Sequence, residues 1–120
     1  MNIAVTSTGK DLKSEIDPRF GRTSYFIVVN PETMQFKVIE NEQNLNLPQG
    51  AGIQAGKNMV DNKIDLVITG NCGPKAFKVL DKSGIKVITG VSGLVIDAVL
   101  NYKNGKLKHS QGPNVEGHWV

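Results

Sequence analysis

Hydrophobic positions along the chain recur first with a period of two and later with a helical period, so two kinds of segment follow one another. Asn2 to Ser7, Tyr25 to Asn30 and Gln35 to Glu40 are rich in Ile, Val, Phe and Tyr, and each predicts a strand. Phe26 and Val28, then Phe36 and Val38, alternate with their neighbours as in a strand with one buried face. Asn30-Pro31-Glu32-Thr33 between them supplies the residues of a hairpin turn. From Asn41 to Gly50 the period is lost, and Asn, Gln, Pro and Gly predict a loop.

Helices and strands then alternate. Ala51 to Asn62 predicts a helix with Ile53, Met59 and Val60 on one side, and Asp65 to Thr69 a short, almost wholly apolar strand. Gly73-Pro74 opens a second helix, because proline at the first helical position loses no amide partner. That helix turns Ala76, Phe77 and Leu80 inward, and Gly84 closes it as a left-handed cap. Ile85 to Thr89 predicts the next buried strand, and Ser92 is expected to cap a third helix carrying Val95, Ala98, Val99 and Tyr102 on one face. No period continues beyond Lys103; Asn104-Gly105 suggests a turn, and residues 108–120 are expected to be a partly mobile tail.

The order strand, strand, strand, helix, strand, helix, strand, helix predicts a single α/β domain. Right-handed crossovers place the fourth strand parallel to the first and the fifth beyond it, with the hairpin on the opposite edge. The result is a five-stranded mixed sheet of order 3-2-1-4-5 with three helices. Its connections diverge between the first and fourth strands, and the crevice outside their carboxyl ends is where ligands bind in such sheets. Three loops meet there: Thr6 to Phe20, Gly70 to Pro74, and Thr89 to Ser92.

Composition narrows the chemistry. A chain of 120 residues, 39% hydrophobic and 21% charged, suits one globular core and argues against disorder or a fibrous fold. No stretch approaches the roughly 18 apolar residues of a membrane helix and no signal sequence opens the chain, so a cytoplasmic protein without a membrane partner is expected. A net charge of +3, carried by scattered residues, gives no nucleic-acid footprint. One cysteine, Cys72, excludes an intrachain disulfide and any four-thiolate zinc or iron-sulfur site made by one chain. A metal group held here would take few protein ligands, either from a monomer or from a dimer formed on loading.

Several familiar sites are excluded by spacing. Gly50-Ala51-Gly52 with Gly56 lacks dinucleotide spacing, and Ser7-Thr8-Gly9-Lys10 lacks the glycine and hydroxyl positions of a P-loop. The same strand order occurs in ribonuclease H-like nucleases, yet the first strand carries no acidic residue and Asp65 stands at the wrong end of its strand for two-metal hydrolysis. His109 and His118 both lie in the tail, so no histidine is placed by sequence beside Cys72.

Two motifs remain. Asp17-Pro18-Arg19-Phe20-Gly21-Arg22 brings two guanidiniums towards the crevice, where their fixed forks of donors suit an anion, unless Asp17 pairs with an arginine and Phe20 simply fills the core. Gly70-Asn71-Cys72-Gly73-Pro74 places a thiol at the amino end of a helix, whose dipole favours the thiolate that binds iron and soft metals, although a lone buried cysteine also serves as packing.

These motifs, together with Gly52-Ile53-Gln54-Ala55-Gly56, Gly84-Ile85-Lys86-Val87 and the closing pattern Asp97-Ala98-Val99 to Tyr102-Lys103-Asn104-Gly105-Lys106-Leu107, resemble the dinitrogenase iron-molybdenum cofactor biosynthesis family. Its members include NifX, NafY and the C-terminal domain of NifB, and the similarity runs over residues 1–107. The resemblance implies a ribonuclease H-like motif without nuclease activity. It also implies a non-enzymatic carrier for an iron-sulfur or iron-molybdenum cofactor precursor, exchanging it with metallocluster assembly proteins such as NifB-like or ATPase-type carriers. Arg19, Phe20, Arg22, Asn71, Cys72 and Gly73 are then the expected binding residues, with Cys72, His109 and His118 as candidate metal ligands. The competing expectation is a small anion- or nucleotide-binding regulatory module with no metal cluster, holding a phosphate on the amides of Gly70 to Gly73 and on the arginines.

Overall fold

Apolar strands of three to five residues cannot be stable alone; each must find neighbours along its edges and cover for both faces. The computed structural model describes residues 1–41, 47 and 49–115, so the loop assigned to Asn41 to Gly50 lies largely outside the described residues. Strands β1 (Ile3–Ser7), β2 (Tyr25–Val29), β3 (Phe36–Glu40), β4 (Leu66–Ile68) and β5 (Lys86–Ile88) form one sheet in the order β3-β2-β1-β4-β5. Helices α1 (Ala51–Asp61), α2 (Pro74–Lys82) and α3 (Val95–Lys103) complete the α/β domain. The β1-β2 and β2-β3 pairs are antiparallel, whereas β1-β4 and β4-β5 are parallel, with Val5 opposite Ile68 and Ile68 opposite Ile88. Strand order and helix number are those expected from the sequence.

Alternate residues of the strands build two cores. Ala4, Phe26, Val28, Val67 and Val87 face Ala55 and Met59 of α1 and Ala76 and Leu80 of α2. Ile3, Val5, Ile27, Val29, Leu66, Ile68 and Ile88 face Val95, Ala98 and Val99 of α3. Four of the five residues of β2 are buried, because the strand lies inside the sheet with a core on either side; the expectation of one buried face fails there. At the amino end of the sheet the Asp65 carboxylate accepts the Asn2 amide at 2.7 Å.

Two local expectations are corrected by packing. The buried face of α1 is Ala51, Gly52, Ala55, Gly56 and Met59, while Ile53 is only half-buried and Val60 is exposed. Small residues win that face because α1 lies against α2 so closely that a Cβ at Gly56 would stand 2.9 Å from Val79 Cγ1. The third helix is not capped by Ser92. Leu94 is its N-cap, and the Val95 and Ile96 amides donate instead to the Ser14 and Leu12 carbonyls at 2.9 and 2.8 Å. Backbone from the β1-β2 connection thus satisfies the helix start that a hydroxyl was expected to satisfy.

Helix propensity alone would make Gly56→Ala stabilising by roughly 1 kcal/mol. Contact with Val79 reverses the sign, and we expect Gly56→Ala to destabilise by about 1–3 kcal/mol in urea unfolding. Adding Val79→Ala should make the double variant less unstable than the sum of the two single variants; additive behaviour would contradict the close approach.

Candidate functional site

Two threonines stand where the parallel pair β1 and β4 ends, polar groups in otherwise aliphatic runs. Thr6 and Thr69 are fully buried with their hydroxyl oxygens 2.9 Å apart. The Thr6 hydroxyl donates to the Asp17 carbonyl at 2.7 Å, and since it has one proton, Thr69 is left to donate to Thr6. The Asp17 amide returns a bond to the Thr6 carbonyl at 3.0 Å, and Asp17 Oδ1 accepts the Arg19 amide at 3.1 Å. These bonds fix the loop carrying Arg19 against the end of β1. Sequence reasoning passed over the threonines, although a hydroxyl within a run of Val and Ile was the available signal.

From that base the loop crosses to the β4-α2 connection. The Phe20 amide donates to the Asn71 carbonyl at 3.1 Å, and Arg19 and Asn71 form an isolated parallel bridge. Gly70 makes this crossing possible: a Cβ there would lie 2.9 Å from Pro18 Cα and 3.0 Å from the Pro18 carbonyl oxygen. Phe20 is fully buried, edge-on to Phe26 with ring centroids 5.5 Å apart. It anchors the loop from within the core. Arg19 is exposed and Arg22 half-buried.

Gly73, extended at φ −79° and ψ 172°, is the N-cap of α2, and Pro74 follows as expected. No side chain caps this helix, and the amides of Gly73, Lys75 and Ala76 meet no protein acceptor among the described residues. Arg19 forms no ion pair among those residues, where the recorded pair is Lys10 with Glu40 at 3.8 Å. A guanidinium and an open helix amino end therefore stand on adjoining loops at the switch point. Both attract anions.

Of the two readings of Cys72, the structure favours packing in the resting protein. The residue is fully buried within the α1-α2 core, and its thiol lies 3.7 Å from the Gly73 carbonyl oxygen, to which it donates. Burial pushes its pKa up to about 12, so desolvation outweighs the helix dipole and the thiol stays neutral. The thiolate expected from its place at the helix start is disfavoured in this arrangement.

Asn114, which carried no sequence signal, holds Cys72 from the far side. Its Oδ1 accepts the Cys72 amide at 2.8 Å, its own amide donates to the Cys72 carbonyl at 3.2 Å, and its Nδ2 donates to the Gly70 carbonyl and Asn71 Oδ1, both at 3.1 Å. His109 is not part of this cluster. It stacks on Tyr102 with centroids 6.4 Å apart and lines a hollow with Phe77, Asp81 and Lys86 beside β5. His118 lies outside the described residues. Among the described residues no group of three or more His, Cys, Asp or Glu is arranged to hold a metal ion. Nor is any of their helices long and apolar enough to cross a membrane.

A family model described as dinitrogenase iron-molybdenum cofactor matches residues 1–105. The apo form of the orange protein from Desulfovibrio gigas is 39% identical, with a TM-score of 0.92 over 95% of this chain and 96% of that one. A Thermotoga protein with a provisional NifB assignment is 31% identical, with a TM-score of 0.81 over 97% and 98% of the two chains. An uncharacterised protein of Methanocaldococcus jannaschii is 28% identical over 98 residues, 79% of this chain and 82% of that protein.

The buried thiol makes a prediction about pH. Below pH 9.0, the ordinary thiol value, Cys72 is neutral folded or unfolded; between there and about 12 only the unfolded chain releases the proton. Folding stability is therefore lost as pH rises through this window, by up to about 1.4 kcal/mol per unit from this group. The stability difference between the native chain and Cys72→Ala should shift in favour of the variant between about pH 8 and pH 10.5. A difference independent of pH would contradict the burial.

Proposed function

Because the chain belongs to the dinitrogenase iron-molybdenum cofactor family, we propose that it is a cytoplasmic, non-enzymatic carrier of an anionic iron-sulfur or iron-molybdenum cofactor precursor. It takes this cargo from one metallocluster assembly protein and gives it to another. The observation that carries the reading is the pairing at the switch point: an exposed Arg19 without an acidic partner among the described residues, on the loop that bridges to Asn71 beside the open amino end of α2. A sulfide-rich cluster bears net negative charge, and donors of this kind hold it without a full set of protein ligands. Arg22, on the same loop, adds positive charge.

Binding by few ligands suits a carrier. Cargo retained by charge-assisted hydrogen bonds and at most one thiolate can be surrendered to a partner with a complete ligand set. Cys72 would join as a ligand only after its peptide is released from the core. His109 and His118 are secondary candidates for a passing contact during transfer.

The second reading, a regulatory module for a phosphate-bearing small molecule, also draws on Arg19. One observation weakens it: the Cys72 amide, central to a phosphate cradle over Gly70 to Gly73, is already bonded to Asn114 Oδ1.

Anaerobic incubation with a preformed iron-sulfur cluster, and separately with iron and sulfide, tests the proposal by iron per chain and visible absorption. The native chain should take up cluster stoichiometrically, and Arg19→Gln should weaken uptake by about tenfold or more, the worth of one charge-assisted hydrogen bond. No uptake under either scheme, with inorganic phosphate binding lost in Arg19→Gln, would overturn the carrier in favour of the anion module.

A further inference from the structure

Beyond α3 the chain turns back along the open side of β5 and over the carboxyl end of β4. Ser110 and Asn114 attach it by the same device. Each donates its main-chain amide to a strand or loop carbonyl, Val87 for Ser110 at 2.7 Å and Cys72 for Asn114 at 3.2 Å. Each also offers a side-chain oxygen to a nearby amide: Ser110 Oγ to Thr89 at 3.0 Å, and Asn114 Oδ1 to Cys72 at 2.8 Å. The Thr89 and Ser110 hydroxyls, 2.8 Å apart, and the two bonds from Asn114 Nδ2 complete the attachment.

Besides these bonds the segment has the stacking of His109 on Tyr102, with ring centroids 6.4 Å apart. Lys108, His109, Gln111, Pro113 and Asn114 are exposed, and none of residues 108–115 is buried. Between it and the domain lies a hollow of about 180 Å³, in which the apolar Phe77, Ile85 and Val87 stand beside Asp81 and Lys86. The net worth of one hydrogen bond is comparable to the entropy of fixing one residue, so a segment held by a few such bonds and the stacking of His109 on Tyr102, with no buried residue of its own, opens more readily than the packed core.

The attachment nevertheless controls the Cys72 peptide. Asn114 bonds both its amide and its carbonyl, which holds the side chain turned into the α1-α2 core. On the other side, Gly70 is held by the Gly90 amide at 2.8 Å and Asn71 by Phe20. The Phe20 bond holds the Asn71–Cys72 peptide from its other edge, because the Asn71 carbonyl and the Cys72 amide share one planar unit. Releasing Asn114 therefore leaves that unit tied and frees the Cys72–Gly73 peptide, whose carbonyl has no other partner among the described residues.

We propose that residues 108–115 are a releasable strap, clasped by Asn114, whose opening is the step that brings the Cys72 thiol from the core to the surface. This inference stands apart from the identity of any cargo, since the thiol itself reports it. The strap would keep the cysteine unreactive in the resting protein and present it on demand.

The test is the rate at which iodoacetamide alkylates Cys72 in the native chain across low urea concentrations, at constant pH. Local opening predicts a slow rate that does not change with urea until global unfolding begins. Asn114→Ala should raise the plateau rate at least tenfold with only a small fall in thermal midpoint. Ser110→Ala, which loosens the other anchor and leaves Asn114 in place, should raise it less; it serves as the second variant should Asn114→Ala fail to fold. Alkylation of the native chain that follows global unfolding at every urea concentration would overturn the proposal. So would plateau rates in the folded variants equal to the native one.

Discussion

Parallel pairing of β1 with β4 in the middle of the sheet is the constraint on which the rest depends. It ends two strands side by side and sends their chains in opposite directions, leaving a row of backbone groups with no sheet to join. Buried groups of this kind must find partners. The loops supply them to one another: Ile16 donates to Gly93, Phe20 to Asn71, Gly90 to Gly70, and Asn114 to Cys72. The crevice is built from this mutual capping. Its open donors are those left over when the internal needs have been met.

Site and fold are consequently hard to separate. Gly70 is needed because Pro18 occupies the space a Cβ would take, and the hydroxyl pair of Thr6 and Thr69 replaces aliphatic packing where the Asp17 carbonyl needs a donor. The backbone that caps α3 comes from the same β1-β2 connection that carries Arg19. Both the amino end of α3 and the loop at the crevice therefore depend on one segment. The amino end of α3 has its first donors satisfied by protein carbonyls, whereas that of α2 remains open. This difference, rather than the helix dipole alone, distinguishes α2 from α3 as an anion-attracting end.

How much of this was legible in the sequence varies with the range of the interaction. Strand order followed from the lengths and order of apolar runs with the handedness of crossovers, and Pro74 and Gly84 marked α2 because their backbone preferences act locally. Gly84 does adopt φ +75° just beyond the helix. The inner face of α1 was misjudged because close helix packing selects Ala and Gly over the larger Ile53 and Val60, which hydrophobic periodicity favours. Ser92 gave way to carbonyls some eighty residues earlier in the chain. Asn114 reaches back 42 residues to Cys72, a separation at which no local pattern operates. For Cys72 the sequence displayed both competing terms, a helix start and an apolar setting, without the burial that decides between them.

The central claim is that an anionic cluster seats at the β1-β4 switch point, and paramagnetic broadening reports position directly. Amide NMR spectra of the isotopically labelled protein, recorded before and after addition of a preformed paramagnetic iron-sulfur cluster, would give the result residue by residue. Selective loss of signals from Arg19, Asn71, Gly73, Lys75, Ala76 and Asn114 is the predicted outcome. Broadening centred on β3 or around His109, with these signals intact, would contradict the account.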